Sequence, residues 1–146
     1  MNILYTKIHQ DANIRCAYNG TSAAFDIACV ENVTIEPHSS KVIPTGLRMF
    51  VTDPNYYLEI HTRSSLGFKH DLRAHLGVID YGYNGDFSVK IFNHGDKPYT
   101  FNKGDFCAQV LVKQKPDYNL VELNLEDFEN QSKSERGSNG FGSSGK

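Results

Sequence analysis

Apolar residues alternate with polar ones along much of this chain. Leu47, Met49 and Val51 stand two apart within residues 42–51. Leu58 and Ile60 alternate with polar neighbours in residues 57–62, and Phe87, Val89 and Ile91 are separated by Ser88 and Lys90. A period of two places such residues on one face of an extended backbone, so each run predicts a half-buried strand. Cys107-Ala108-Gln109-Val110-Leu111-Val112 is a nearly unbroken apolar run, as in a strand buried on both faces. Turn-forming clusters lie between the runs: Asp53-Pro54-Asn55, Asn84-Gly85-Asp86, Asn93-His94-Gly95-Asp96 and Asn102-Lys103-Gly104-Asp105. Many short strands at a spacing of roughly ten residues predict an all-β sandwich or barrel. Ser64-Ser65-Leu66-Gly67-Phe68 is compatible with one short helical turn, and residues 131–135 are polar and read as a linker. No internal repeat is visible.

A length of 146 residues predicts one domain able to bury roughly 70% of its unfolded surface without disulfides. The formal net charge of −2 argues against a surface that grips nucleic-acid backbone non-specifically. Cys16, Cys29 and Cys107 are an odd number with no Cys-x-x-Cys spacing. They suggest neither a disulfide framework nor a zinc site, and fit a reducing compartment. The first residues lack the apolar core of a signal peptide, and no apolar run approaches the ~20 residues of a membrane span. The expected location is the cytoplasm, or a host's cytoplasm if the chain is viral.

Five segments could carry chemistry. Asp26 lies in the apolar stretch Ser22-Ala23-Ala24-Phe25-Asp26-Ile27, where a carboxylate needs a hydrogen bond or a cation. Arg63-Ser64-Ser65 directly follows a predicted strand and offers a guanidinium, two hydroxyls and backbone N–H groups to phosphates, or forms an ordinary surface loop. In Gly77-Val78-Ile79-Asp80-Tyr81-Gly82-Tyr83-Asn84-Gly85-Asp86, an apolar strand ends at Asp80 and leads into a glycine-rich hairpin with aromatics. Asp80 could deprotonate a water, and Tyr83 could pack flat on a sugar; a plain Asn-Gly hairpin is the alternative. Gln109, inside the run 107–112, needs a backbone or ligand partner. The end of the chain, Arg136-Gly137-Ser138-Asn139-Gly140-Phe141-Gly142-Ser143-Ser144-Gly145-Lys146, combines an arginine, glycines, serines and one aromatic. It reads either as an arm closing over a nucleotide polyphosphate or as a terminus without structure.

Taken in order, Asp, Arg-Ser-Ser, Asp with Tyr, Gln and the Arg-Gly-Phe-Ser tail closely resemble the five motifs of the trimeric dUTPase family (deoxyuridine triphosphatases), from about Ser22 to the C-terminus. The resemblance implies an all-β, β-clip or jelly-roll-like distorted barrel that forms a homotrimer. Residues 1–130 would make one domain and residues 131–146 a flexible arm. Each active site would be shared by three chains and convert dUTP to dUMP and pyrophosphate, keeping uracil out of DNA and supplying dUMP for thymidylate synthesis. By carry-over, Asp80 activates the water that attacks the α-phosphorus. Arg63, Ser64, Ser65 and Gln109 contact phosphates, with Arg136, Gly142, Ser143 and Ser144 capping them. Gly77, Val78 and Ile79 pair with uracil, Tyr83 excludes a 2′-hydroxyl, and Phe141 stacks on the base. Asp26 would stand near the water shell of a Mg²⁺ held mainly by the triphosphate. No nucleic-acid or membrane partner is implied.

This sequence departs from the family pattern at Ala24, Ala74, Gly82, Asn84 and Asn139. Two alternatives share the fold. A dCTP deaminase would need a carboxylate where this chain has Lys90, and a lysine cannot accept the proton in the same way. A nucleotide-dependent regulator that binds a protein partner is the other, and no inserted segment between Gln109 and Arg136 supports it.

Overall fold

The computed structural model describes residues 1–134 and 136–139 and is mostly β. The chain divides into two compact units, Met1–Pro116 and Asp117–Lys146. The first unit holds strands β1 (Ile3–Lys7), β2 (Ile14–Cys16), β3 (Ala24–Ala28), β4 (Val33–Ile35), β5 (Ser39–Val51) and β6 (Tyr56–His61). A short helix α1 (Ser64–His70) follows, then β7 (Leu72–Ala74), β8 (Gly77–Ile79), β9 (Asp86–Asn93), β10 (Tyr99–Phe101) and β11 (Phe106–Gln114). They form a four-stranded sheet in the order β1-β5-β9-β7, a five-stranded sheet in the order β2-β3-β11-β6-β8, and the pair β10-β4. All pairings are antiparallel.

The predicted alternation is what buries this unit. Leu47, Met49 and Val51 of β5 and Phe87, Val89 and Ile91 of β9 point into one core with Ile27, Leu58, Ile60 and Val110 of the five-stranded sheet. Strand β5 is long enough to need a break. Its register against β9 shifts between Pro44 and Leu47, a bulge where proline's missing N–H does no harm. Gly46 at that bulge has φ +63°, and a Cβ there would stand 2.5 Å from the Cβ of His9. Buried Cys29 and Cys107 have thiol pKa values raised by burial, that of Cys107 to about 12, so neither is a ready nucleophile.

One buried polar side chain ties the elements together. Asn93 is 1% exposed; its amide donates to the carbonyls of Ile35 (3.0 Å) and Lys97 (2.8 Å) and its oxygen accepts from Gly95 N–H (3.0 Å). Asn93→Ala would take the partner from three backbone groups, one in a buried hydrogen bond and two in part-buried ones. It is expected to lower stability by about 3 kcal/mol, read as a lower urea midpoint.

The second unit contains helix α2 (Leu125–Gln131), which the sequence reading did not foresee. Asn124 caps it, accepting from Asp127 N–H at 2.9 Å while its amide donates to the Asp127 carboxylate at 2.7 Å. Glu126 and Asp127 suit the positive end of the helix. Among the described residues, no helix is long and apolar enough to cross a membrane.

Candidate active site

The register of the five-stranded sheet aligns the polar residues of its outer face. Arg15 on β2 lies opposite Asp26 on β3, Asp26 opposite Gln109 on β11, and Gln109 opposite His61 on β6. Antiparallel neighbours directly opposite each other point to the same face, so four separated polar residues form one row. Beyond His61 the chain leaves β6 through Thr62 and Arg63 and enters α1, bringing Arg63, Ser64 and Ser65 over that row.

A cleft of about 880 Å³ lies there, with Arg15, Asp26, Arg63, Ser64, Ser65 and Gln109 among its lining residues. The Asp26 side chain is 14% exposed and accepts from Arg63 Nε at 3.1 Å and from Arg15 Nη2 at 2.6 Å. Arg63 also donates through Nη1 to the Phe106 carbonyl at 3.1 Å. Two of its five N–H donors are thereby used and the rest remain for an anion. Gln109 donates to the Thr62 carbonyl at 2.8 Å, and Thr62 Oγ1 accepts from Ala74 N–H at 2.8 Å. Gln109 therefore fixes the residue just before Arg63, as well as lining the cleft. Ser64 and Ser65 are exposed in the first turn of α1, where backbone N–H groups lack intrahelical partners. Buried Leu66 anchors that turn.

Asp80 belongs to a different part of the unit. Strand β8 is the opposite edge of the sheet from β2 and pairs with β6, with Gly77 opposite Ile60 and Ile79 opposite Leu58. Asp80 therefore lies past Leu58, whereas the polar row crosses β6 at His61. That offset corresponds to about 13 Å along the strands and about 14 Å across from β3. Gly77, Val78, Ile79, Asp80 and Tyr83 do not line the cleft that holds Asp26, Arg63 and Gln109. Asp80 itself is exposed.

The segment after Asp80 corrects one expectation. It is not a hairpin: β8 pairs in the five-stranded sheet and β9 in the four-stranded one, so residues 80–85 carry the chain from one sheet to the other. The turn closes with Tyr83 N–H donating to the Asp80 carbonyl at 3.2 Å, and passes through Gly82 at φ +88°. Tyr83 then folds down on Gly85, its hydroxyl donating to the Asp86 carbonyl at 3.0 Å. A Cβ on Gly85 would stand 2.6 Å from that hydroxyl. Arg48 Nε holds the next carbonyl, that of Asn84, at 2.7 Å. The tyrosine is thus preset by a glycine rather than by packing. Tyr83 is 45% exposed.

Residues 10–145 match the dUTPase family model. The chain belongs to the dUTPase family. It is 33% identical to the deoxyuridine 5′-triphosphate nucleotidohydrolase of Nautilia profundicola, with 100% of each chain covered. It is 40% identical to that of Photorhabdus laumondii over 86% of this chain and 82% of the relative. Among solved structures it is similar to the Staphylococcus bacteriophage 80alpha dUTPase with dUPNHPP, at a TM-score of 0.81, 26% identity and 99% coverage of both chains. Membership agrees with the all-β, jelly-roll-like architecture and with the order of motifs along the chain.

Of the site residues expected for the family, the structure brings together Asp26, Arg63, Ser64, Ser65 and Gln109. Arg136 lies in the second unit, where its Nε donates to the Asn139 carbonyl at 3.0 Å. Phe141, Gly142, Ser143 and Ser144 lie outside the described residues. Sequence reasoning missed Arg15 and Phe106, whose ring lies 4.1 Å from the Arg15 guanidinium carbon and 5.7 Å from that of Arg63. It also missed Glu59, which accepts from Tyr57 Oη and bonds His61 Nε2, both at 3.0 Å. The His61 hydrogen bond holds the Glu59 carboxyl below its ordinary pKa. The only signal for Arg15 was a charge inside a short β-prone segment, which does not reveal its partner. Lys90, the position that matters for a deaminase, stands on β9 with Nζ 5.3 Å from the Phe92 ring.

The chemistry of the cleft fits a magnesium ion brought by a polyphosphate. Among the described residues Asp26 is the one carboxylate that lines it, and both of its oxygens are bonded to arginines. A single paired carboxylate suits contact through water, since magnesium keeps much of its hydration and takes phosphate oxygens readily.

Gly85→Ala is expected to leave the fold intact, because the position is not in the core, but to push Tyr83 off its seat. Discrimination between dUTP and UTP should fall by about tenfold, measured as the ratio of the two kcat/KM values.

Proposed function

We propose that this protein hydrolyses dUTP to dUMP and pyrophosphate by attack of water on the α-phosphorus, in an active site shared by three chains. The observation that carries the shared site is the separation of Asp80 from the cleft of Asp26, Arg63 and Gln109. Both parts are needed for the chemistry, and one chain holds them on different parts of its surface. A second chain that docks its β8 end against the cleft would supply Asp80, Tyr83 and Gly77-Val78-Ile79.

In this reading Arg63, Ser64 and Ser65 bind phosphate oxygens, and Gln109 keeps Arg63 in place through Thr62. Bound Mg²⁺ would withdraw charge from the phosphates, with Asp26 reaching its water shell. Asp80 accepts the proton of the attacking water; its carboxylate, exposed and without an ion pair among the described residues, suits that role. Tyr83 lies against the deoxyribose and leaves no space for a 2′-hydroxyl. The backbone of Gly77-Val78-Ile79 pairs with uracil; Gly77 packs closely on Ile60, whose Cδ1 would be 3.2 Å from an added Cβ. The C-terminal residues 136–146 close over the nucleotide, with Phe141 on the base and Arg136, Gly142, Ser143 and Ser144 on phosphates.

The test is pyrophosphate release with Mg²⁺ from dUTP, dTTP, dCTP and UTP. Release from dUTP alone is the expected result. Equal release from dTTP or UTP would remove the roles given to Gly77–Ile79 and Tyr83, and ammonia release from dCTP would replace the reaction altogether.

A further inference from the structure

The phosphate contacts expected from the family motifs include one arginine in this cleft, Arg63. The structure places a second one there. Arg15 is the middle residue of the edge strand β2, seven positions before the first motif begins at Ser22. It lines the cleft, and its side chain is 47% exposed. One Nη2–H bonds Asp26 Oδ2 at 2.6 Å, and the guanidinium lies 4.1 Å from the centre of the Phe106 ring. Arg63 reaches the same carboxylate from Nε at 3.1 Å and approaches the same ring at 5.7 Å. Two guanidiniums therefore share one carboxylate and one aromatic platform.

This arrangement is asymmetric in charge. The cleft lining contains Arg15 and Arg63 as cations and Asp26 as its anion, a balance of +1. Removal of Arg15 would leave the balance at zero. A triphosphate with about four negative charges needs a positive site in a chain of net charge −2. Arg15 has four N–H donors left after its bond to Asp26, and its guanidinium packs over the Phe106 ring. Immediately after β2, the chain turns through Tyr18 (φ 52°) and Asn19 (φ 54°), and these residues also line the cleft. Non-glycine residues in the left-handed region are uncommon and mark an imposed path. That path makes β2 and the turn after it one wall of the cleft, with Arg15 on it.

We propose that Arg15 is a second phosphate-binding arginine of this enzyme, held in position by Asp26 and Phe106 until a polyphosphate arrives. The proposal rests on the phosphate reading of the cleft, and the competing role is purely structural: Arg15 would serve only to neutralise Asp26. The two roles separate in a double-mutant cycle. Arg15→Gln keeps a polar stem beside Phe106 and removes the charge; Asp26→Asn removes the charge that Arg15 would otherwise only balance.

The experiment is calorimetric binding of inorganic tripolyphosphate without magnesium to the full-length wild type, Arg15→Gln, Asp26→Asn and the double variant, with deoxyuridine as the phosphate-free control. Arg15→Gln is expected to weaken tripolyphosphate by about tenfold or more, as for loss of a charge-assisted hydrogen bond. The loss should persist in the Asp26→Asn background, and deoxyuridine affinity should not change. Arg15→Lys, which keeps the charge, should recover part of the loss. An effect of Arg15→Gln that vanishes in the Asp26→Asn background would overturn the proposal, as would equal weakening of deoxyuridine or unchanged tripolyphosphate binding. Failure of the wild type itself to bind tripolyphosphate would instead remove the phosphate reading of the cleft, and Arg15's role with it.

Discussion

Asp80→Asn is expected to lower kcat by about 10²–10⁴-fold, the range for removing a positioned general base, while dUTP still binds. The amide is nearly the same size, and Asp80 makes no side-chain hydrogen bond or ion pair among the described residues, so the substitution should not disturb the fold. Its backbone carbonyl, which closes the turn to Tyr83, is retained. Near-normal turnover by this variant would eliminate Asp80 as the base. The same variant tests the shared site. Arg63→Ala should also be inactive, because it strips the cleft of its central guanidinium. If Asp80 and Arg63 of one active site come from different chains, refolding the two inactive variants together should restore part of the activity. In mixed trimers some sites would combine an intact Asp80 from one chain with an intact Arg63 from another. No recovery from mixed and demonstrably exchanged chains would place both residues in the same chain's site.

Removal of residues 136–146 is expected to reduce kcat/KM by at least about a hundredfold while the remaining chain stays folded. The reason for the first effect is chemical. An arm of glycines, serines, one arginine and one phenylalanine can exclude water and add donors around the phosphates, which strengthens every charge contact inside. The reason for the second is structural. The core is made by residues of the first unit, Met1–Pro116, and its last strand ends at Gln114. Thermal unfolding of the truncated chain should therefore occur near the wild-type midpoint, with turnover lost. A truncated chain that failed to fold would make the tail a structural element instead.

Much of the fold was readable because a strand's period of two is a local property. The alternation of Leu47, Met49 and Val51, or of Phe87, Val89 and Ile91, needs no knowledge of the partner strand to show which side is buried. Helix α2 was less visible: its apolar residues are few and exposed, Leu125 at 73% and Phe128 at 57%. Asn124 followed three residues later by Asp127 was the available sign of a helix start. The false hairpin at residues 80–85 has a related cause. Asn-Gly signals a turn, but a turn alone does not say whether the strands on either side pair with each other.

The candidate site divides in the same way. The order of residues along the chain names the groups available, Asp26, Arg63-Ser64-Ser65, Asp80 with Tyr83, Gln109 and the Arg-Gly-Phe-Ser tail, and that order is enough to indicate the dUTPase family. Which of them meet depends on how the strands pair. Sheet register is set by contacts among residues far apart in sequence, and here it aligned Arg15, Asp26, Gln109 and His61 across four strands. It gave Gln109 its backbone partner at Thr62 and paired one carboxylate with two arginines. It also put Asp80 past the end of β8, the opposite edge of the same sheet from β2, away from the cleft that holds Asp26, Arg63 and Gln109. Side-chain chemistry is written residue by residue, but distance between residues is a property of the packed chain.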